Sequence, residues 1–238
     1  MEIYEKLHLR KAKQSFILLY EVSRAIVSNR YIEEILSLVV SLTAQLMDSK
    51  ICSLMLLDEQ KHELVIKATQ SLSEDYCLKP PIKVGESVSG RAVQLKKPIT
   101  VLNVKNESGY KYPEIAKKEG LVSLIAVPMM IKETVIGVLN CYTAKERIFV
   151  EEEIQVLVGV ANQAAVAIEN TRLLADKIAV VEELETRKKV ERAKGILMKR
   201  RQMGEEEAYR WMQKRSMEGR HSLKEIAEAI IVSEEIVN

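Results

Sequence analysis

The chain has 238 residues, with 36 Lys+Arg against 34 Asp+Glu and a formal net charge of +2. A 47% apolar share beside 29% charged residues describes a soluble globular chain and excludes bulk disorder. The length suits one large domain, or a medium domain followed by a small one. Near-zero net charge announces no polyanionic partner, but it averages over positions and says nothing about where the charges lie.

Residues 1–20, with Glu2, Lys6, Arg10, Lys11 and Lys13, lack the apolar centre of a signal peptide. No stretch approaches the roughly 18 apolar residues of a membrane helix, so no membrane association is expected. Cys52, Cys77 and Cys141 are odd in number, scattered and without a CxxC pair. They form no disulfide framework and predict reduced thiols in a cytoplasmic protein. His8, His62 and His221 are far apart, and neither a zinc-type histidine motif nor a glycine-rich phosphate loop is present. No metal site and no cofactor is predicted.

The first elements are two helical patterns, at Phe16, Leu19, Val22 and Ile26 and at Ile32, Ile35, Leu36, Val39, Leu42 and Leu46. Residues 51–57 and 63–69 flank the charged turn 58–62 and predict a hairpin. Residues 85–96 read as a short helix, 99–104 as a strand and 106–120 as a polar loop with Tyr110, Tyr112 and Pro113. A second hairpin, 121–131 with 134–143, turns at Lys132 and Glu133. Together these predict an α+β domain of about 150 residues around a central antiparallel sheet.

After Pro128 no proline follows, and the chain turns helical. Glu151, Glu152 and Glu153 suit the first turn of a helix, where carboxylates complement the dipole. Ile154, Leu157, Ala161, Ala164 and Ile168 either cover the sheet or face a second helix. Leu174, Ile178, Val181 and Leu184 form a seam of the kind that pairs two helices side by side. Farther on, Ala208, Trp211, Met212 and Arg215 share one face of a helix that Gly219 is expected to end. Ser222 and Glu225 form a capping box, and Leu223, Ile226, Ala227, Ile230 and Ile231 supply the buried face of a last helix. Residues 187–232 thus predict three helices with a small core around Trp211, too few residues to be more than marginal alone.

The charges are distributed unevenly only at short range. Residues 1–181 hold 23 basic and 22 acidic side chains, and 182–238 hold 13 and 12. Within 187–201, however, eight basic residues face one acid, Glu191. Lys188, Arg192 and Lys199 fall near one helical face, Lys194 flanks it, and Arg215 and Arg220 extend it. Such a stripe is either a solvated helix face or a phosphate-binding surface. Gly195 costs roughly 1 kcal/mol against alanine in mid-helix, so a close approach by another backbone is expected there. Trp211 is expected in the core rather than against a base, and His221 in a loop.

Two segments carry family resemblances. The N-terminal region, about 5–170, resembles a GAF domain through VGESVSGRAVQLKKPITVLNV (84–104) and SLIAVPMMIKETVIGVLNCYTA (123–144). The C-terminal region resembles an ANTAR domain through ERAKGILMKRRQMGEEEAYRWMQKRSMEGRHSLKEIAEAII (191–231). Ala193, Lys194 and Gly195 fall at family positions, and Ser216 stands where many members have alanine.

The resemblances imply a GAF-like sensory and dimerisation domain over 1–170, a connecting helix over 151–186 and a three-helix ANTAR domain over 187–238. They imply a bacterial, non-enzymatic antitermination regulator whose dimeric ANTAR modules bind hairpin loops in leader mRNA and so prevent terminator formation. The RNA-binding residues expected on this basis are Lys188, Arg192, Ala193, Lys194, Gly195, Lys199, Arg215 and Arg220. Homodimerisation is expected through the connecting helix and the GAF domain.

The alternative is that the C-terminal helices bind DNA or a protein. A small ligand of the GAF domain would lie among 71–83, 85–96 and 106–120. The pattern of cyclic-nucleotide-binding members is not evident, Cys77 is the one loop thiol a bilin could use, and a purely scaffolding domain is the competing reading.

Overall fold

The computed structural model describes residues 32–237, so the helical pattern at 16–26 lies outside the described residues. The chain divides into two compact units, the first ending at Thr171 and the second beginning at Arg172.

In the first unit, helix α1 (Ile32–Met47) carries Glu33 and Glu34 in its first turn and buries Ile35, Leu36, Val39, Val40, Thr43, Ala44 and Met47. Those positions recur at helical spacing, so a single stripe is apolar. Strands β1 (Ile51–Asp58) and β2 (Glu63–Thr69) form the first expected hairpin. Its turn is held by Asp58, whose carboxylate accepts from the amides of Gln60 and Lys61 at 3.1 Å each. The short α2 (Glu74–Cys77) and β3 (Ile82–Lys83) precede α3 (Ser87–Leu95). Strand β4 (Ile99–Val101) is shorter than the expected 99–104.

The segment 106–120, expected as an irregular loop, contains α4 (Pro113–Lys118). Proline at its start and Lys117 and Lys118 at its end suit helix termini, but six residues are too few to show a period. The second hairpin joins β5 (Ser123–Ile131) to β6 (Thr134–Thr143).

The six strands lie in the order β3-β2-β1-β6-β5-β4, every neighbouring pair antiparallel. Alternation sends Cys52, Leu54, Ile125, Val127, Leu139 and Cys141 to one face, against α1 and the first turns of α5 (Glu151–Arg201). Met55, Leu124, Ala126, Val138 and Tyr142 face the other way, toward α3 and the connecting segments. Gly90 lets α3 approach the β3 backbone: a Cβ there would meet the Lys83 carbonyl oxygen at 2.2 Å.

Within α5, Ile154 to Ile168 cover the sheet, which resolves the choice left open for that stretch. The helix is continuous for 51 residues, so the expected first helix of the small C-terminal region is its last part. Residues 172–185 are exposed throughout.

In the second unit, α5 is joined by α6 (Glu205–Gly219) and α7 (Leu223–Val237). Their core is Val190, Ala193, Leu197, Ala208, Met212, Ala227, Ile230 and Ile231. Met212 and Ala208 are fully buried, whereas Trp211 is only half-buried at the rim. The core is therefore centred on Met212 and not, as expected, on Trp211. The capping box forms as read: Ser222 Oγ accepts from the Glu225 amide at 3.2 Å, and the Ser222 amide donates to the Glu225 carboxylate at 2.6 Å. Gly219 remains inside α6, and it is Arg220 that takes the left-handed position, with φ 52°. No helix among the described residues is long and apolar enough to cross a membrane.

Candidate functional site

The basic stripe on α5 is largely engaged from within. Lys189 pairs with Glu228 at 2.6 Å, Arg192 with Glu235 at 2.9 Å, and Arg200 with Glu234, all across to α7. Lys188 meets Glu185 of its own helix at 3.4 Å. Lys194 is only 8% exposed and bridges Glu191 at 2.9 Å and Glu205 at 2.8 Å. Its pKa is raised by hydrogen bonds to those two carboxylates, and the Lys194 ammonium in turn holds Glu205 below the usual carboxylate range.

The eight expected contact residues therefore separate. Ala193 is completely buried in the helical core and offers no surface. Lys194 is a tie between α5 and the start of α6, not part of an open stripe. Gly195 is exposed, and a Cβ there would meet open space, so the expected close backbone approach does not occur within the described residues. Lys199 and Arg220 are exposed and carry no ion pair among the described residues. Arg215 lies 3.4 Å from Glu218 and places its guanidinium 5.3 Å from the centre of the Trp211 ring. Arg201 stands over the same ring at 4.7 Å.

In the first unit, the three segments expected to line a ligand site do converge over β1 and β6. Tyr76 is buried, and its hydroxyl lies 2.9 Å from Ser53 Oγ. Tyr110 donates its hydroxyl to Tyr142 at 3.2 Å, and the rings of Tyr76 and Tyr142 meet edge to face. Ser89 of α3 donates to Asn140 Oδ1 at 2.8 Å. The Asn140 side-chain amide nitrogen is buried without a hydrogen-bond partner among the described residues. Burial pushes the Tyr76 and Tyr142 hydroxyls well above the ordinary tyrosine range, so both stay neutral donors.

Withdrawal from water pushes the Lys79 ammonium, 4.0 Å from the centre of the Tyr76 ring, down to about 7. Cys77 is exposed. On the opposite face of the sheet, Cys52 and Cys141 bring their sulfurs to 3.1 Å. No group of three or more His, Cys, Asp or Glu side chains suited to a metal ion occurs among the described residues.

Comparison with protein families decides the assignment. The GAF-domain model matches residues 29–169, more than half of the chain, and the ANTAR-domain model matches 179–231. The chain is a GAF–ANTAR protein.

Its ANTAR region is 41% identical over 63 residues to the transcriptional regulatory protein PdtaR of Mycobacterium tuberculosis, a match covering 26% of this chain and 31% of that protein. The GAF region is 25% identical over 157 residues to the phosphoenolpyruvate-dependent phosphotransferase system of Escherichia coli, covering 66% of this chain and 21% of that one. The chain thus spans a third or less of the length of these curated relatives.

Among solved structures, the GAF domain of a Coxiella burnetii phosphoenolpyruvate-protein phosphotransferase superposes with a TM-score of 0.63 at 24% identity, covering 69% of this chain and 98% of that one. The free methionine-R-sulfoxide reductase of Neisseria meningitidis gives 0.57 at 19% identity, covering 66% and 89%. At these identities the likeness shows the fold alone. The GAF-like sheet with flanking helices, followed by a long helix and a helical ANTAR region, is the fold class read from the sequence.

Sequence reasoning missed Arg201 as a partner of Trp211. Its ten-residue separation across the α5–α6 turn gives no periodic signal. The Trp211–Arg215 pair, by contrast, was legible as an i, i+4 spacing.

Proposed function

We propose that this GAF–ANTAR protein is a regulator of gene expression that acts by binding RNA, with the ANTAR domain as output and the GAF domain as input. The observation that carries the reading is the ANTAR match over 179–231, together with the 41% identity of that region to a protein named as a transcriptional regulator. The finer mechanism follows the antitermination logic: two ANTAR modules hold hairpin loops of a nascent leader transcript, and a competing terminator fails to form. Loop bases are unstacked and open to contact, whereas the deep, narrow major groove of an RNA duplex is not. The domain combination is that of a regulator rather than an enzyme.

Two features support the remaining parts of the proposal. Leu174, Ile178, Val181 and Leu184 are each about half exposed, at 58%, 52%, 49% and 51%, along a stretch that covers no other element among the described residues. A second copy of the same helix would cover them, giving the homodimer. In the GAF domain, the Asn140 amide nitrogen, without a partner among the described residues and beside Ser89 and the tyrosine hydroxyls, suits a small polar ligand offering an acceptor.

The test is enrichment of leader transcripts on the purified protein, followed by single-round transcription through the enriched leaders. Increased terminator read-through on adding protein is expected. Equal competition by duplex DNA, or no enrichment over bulk RNA, would refute it.

A further inference from the structure

Trp211 is out of place for a core residue. Its neighbour Met212 is fully buried, yet the much larger indole remains half-buried at the rim of the same small core. Two guanidiniums are held against the ring, Arg201 at 4.7 Å and Arg215 at 5.3 Å from its centre. A cation over an indole face is attracted by the ring's electron density, so the two arginines are gathered at one point.

Like the exposed Lys199 and Arg220, neither is tied to a carboxylate of another helix among the described residues. Lys189, Arg192 and Arg200 are paired across to α7, and Lys194 to Glu191 and Glu205. Arg201 has no ion pair among the described residues, and Arg215 has only the exposed contact with Glu218 at 3.4 Å.

Beside the ring, α6 and α7 enclose an open groove of about 490 Å³. Its floor is apolar, from Ile226 and Ile230, and Arg215, His221, Glu218 and Ser233 bring polar groups to it. This combination matches one chemical object. A flat π face meets the indole and the apolar floor, a polar edge meets His221 and Ser233, and a phosphodiester meets the guanidiniums. An unstacked nucleobase with its flanking phosphates has all three. An apolar peptide would leave the arginines unused, and a bare phosphate would leave the ring unused.

We infer that Trp211, flanked by Arg201 and Arg215, is a stacking platform that holds an unstacked base of an RNA loop in the groove between α6 and α7. The inference rests on the RNA-binding reading above and moves its centre from the α5 stripe to this groove. On binding, one guanidinium leaves the ring for a phosphate and the base takes the ring face it vacates. The exchange replaces a cation–π contact with a base–aromatic stack and a charge-assisted hydrogen bond.

Trp211 is the single tryptophan of the chain, so its emission reports on this site alone. The full-length protein is challenged with RNA hairpins enriched by filter retention from a pool with a randomised loop, and with hairpins of the same stems whose loops are abasic. Retained hairpins are expected to quench Trp211 emission and to bind about tenfold more tightly than their abasic counterparts, the effect of one stacked base. Trp211→Leu is expected to abolish that tenfold difference, and Trp211→Phe, which keeps a ring and packs the rim, to preserve part of it. Retention with unchanged Trp211 emission and equal affinity for abasic loops would overturn the platform while leaving RNA binding intact. Enrichment of no hairpin at all would overturn the RNA-binding reading and the platform with it.

Discussion

Replacing Ile178 by aspartate tests whether the exposed stretch of α5 is a seam between two copies. Leu174, Ile178, Val181 and Leu184 retain about half of their exposure, at 58%, 52%, 49% and 51%. Fully burying such a side chain is worth roughly 1.5–3 kcal/mol, so covering the remaining half contributes about 1 kcal/mol at each position. Four positions in two copies give about 8 kcal/mol, set against an association cost of roughly 4–15 kcal/mol. The margin is thin, and a single change decides it.

Ile178→Asp removes about 1 kcal/mol from each copy and places a carboxylate in a closing apolar seam, at about 1–3 kcal/mol each. A loss of at least about 4 kcal/mol weakens dimerisation roughly a thousandfold or more. Sedimentation equilibrium of the full chain is the assay, with helicity by circular dichroism as the control. Ile178 is exposed in the single chain, so helicity should change little. A wild-type protein still monomeric at about 1 mM, the dissociation constant that matches the roughly 4 kcal/mol left after the smallest association cost, would refute the seam. So would a variant that associates as the wild type does.

Met212 is fully buried at the centre of the small helical core, so Met212→Ala should cost about 2–5 kcal/mol and melt the C-terminal helices well below the GAF domain in a thermal scan. An unshifted C-terminal transition would contradict the packing described. Lys194→Ala and Glu205→Ala should each lower that same melting temperature, and the double variant should lose less than the sum, because both break one tie. Strict additivity would show the tie to be idle.

For Lys79, the folded pKa of about 7 lies below its ordinary 10.5. Between those values the unfolded chain holds more protons, so this group's destabilisation is complete below pH 7 and fades as the pH rises to 10.5. Lys79→Met should therefore stabilise the GAF domain at neutral pH and have little effect near pH 10.5, measured by urea melts at both. An equal gain at both pH values would point to packing instead. Of the three thiols, the exposed Cys77 should react in the native protein, while the buried Cys52 and Cys141 should react only after unfolding. Native titration of more than one thiol would show that the sheet opens.

The sheet was legible because the apolar, β-rich runs 51–57, 63–69 and 134–143 are bounded by the charged turns at 58–62 and at Lys132 and Glu133. The capping box at Ser222 and Glu225 was legible because its chemistry is local. What escaped the sequence depends on partners far along the chain. Lys194 reads as one more cation of a stripe until Glu205, beyond a turn, is seen to hold it. Lys189 and Arg192 read as free until Glu228 and Glu235 arrive from α7. Trp211 and Met212 are adjacent and both apolar, and only packing decides which of them fills the core. In the GAF domain Tyr110 was visible in its loop, but that it meets Tyr142 and Tyr76 over one pair of strands is a fact of topology.

The carboxylates that α7 extends to α5 act as a resident counter-polymer. Glu228, Glu234 and Glu235 occupy cations that any phosphate chain would seek. A polyanion approaching this surface must evict them, losing those contacts before it gains its own. Nucleic acid that offers only charge trades like for like there, and weak retention of bulk nucleic acid is the expected outcome. A ligand that adds shape or stacking loses the same amount and recovers it elsewhere. The acidic helix works as a toll on indiscriminate attraction, and a near-neutral chain can remain selective among polyanions because it already carries one of its own.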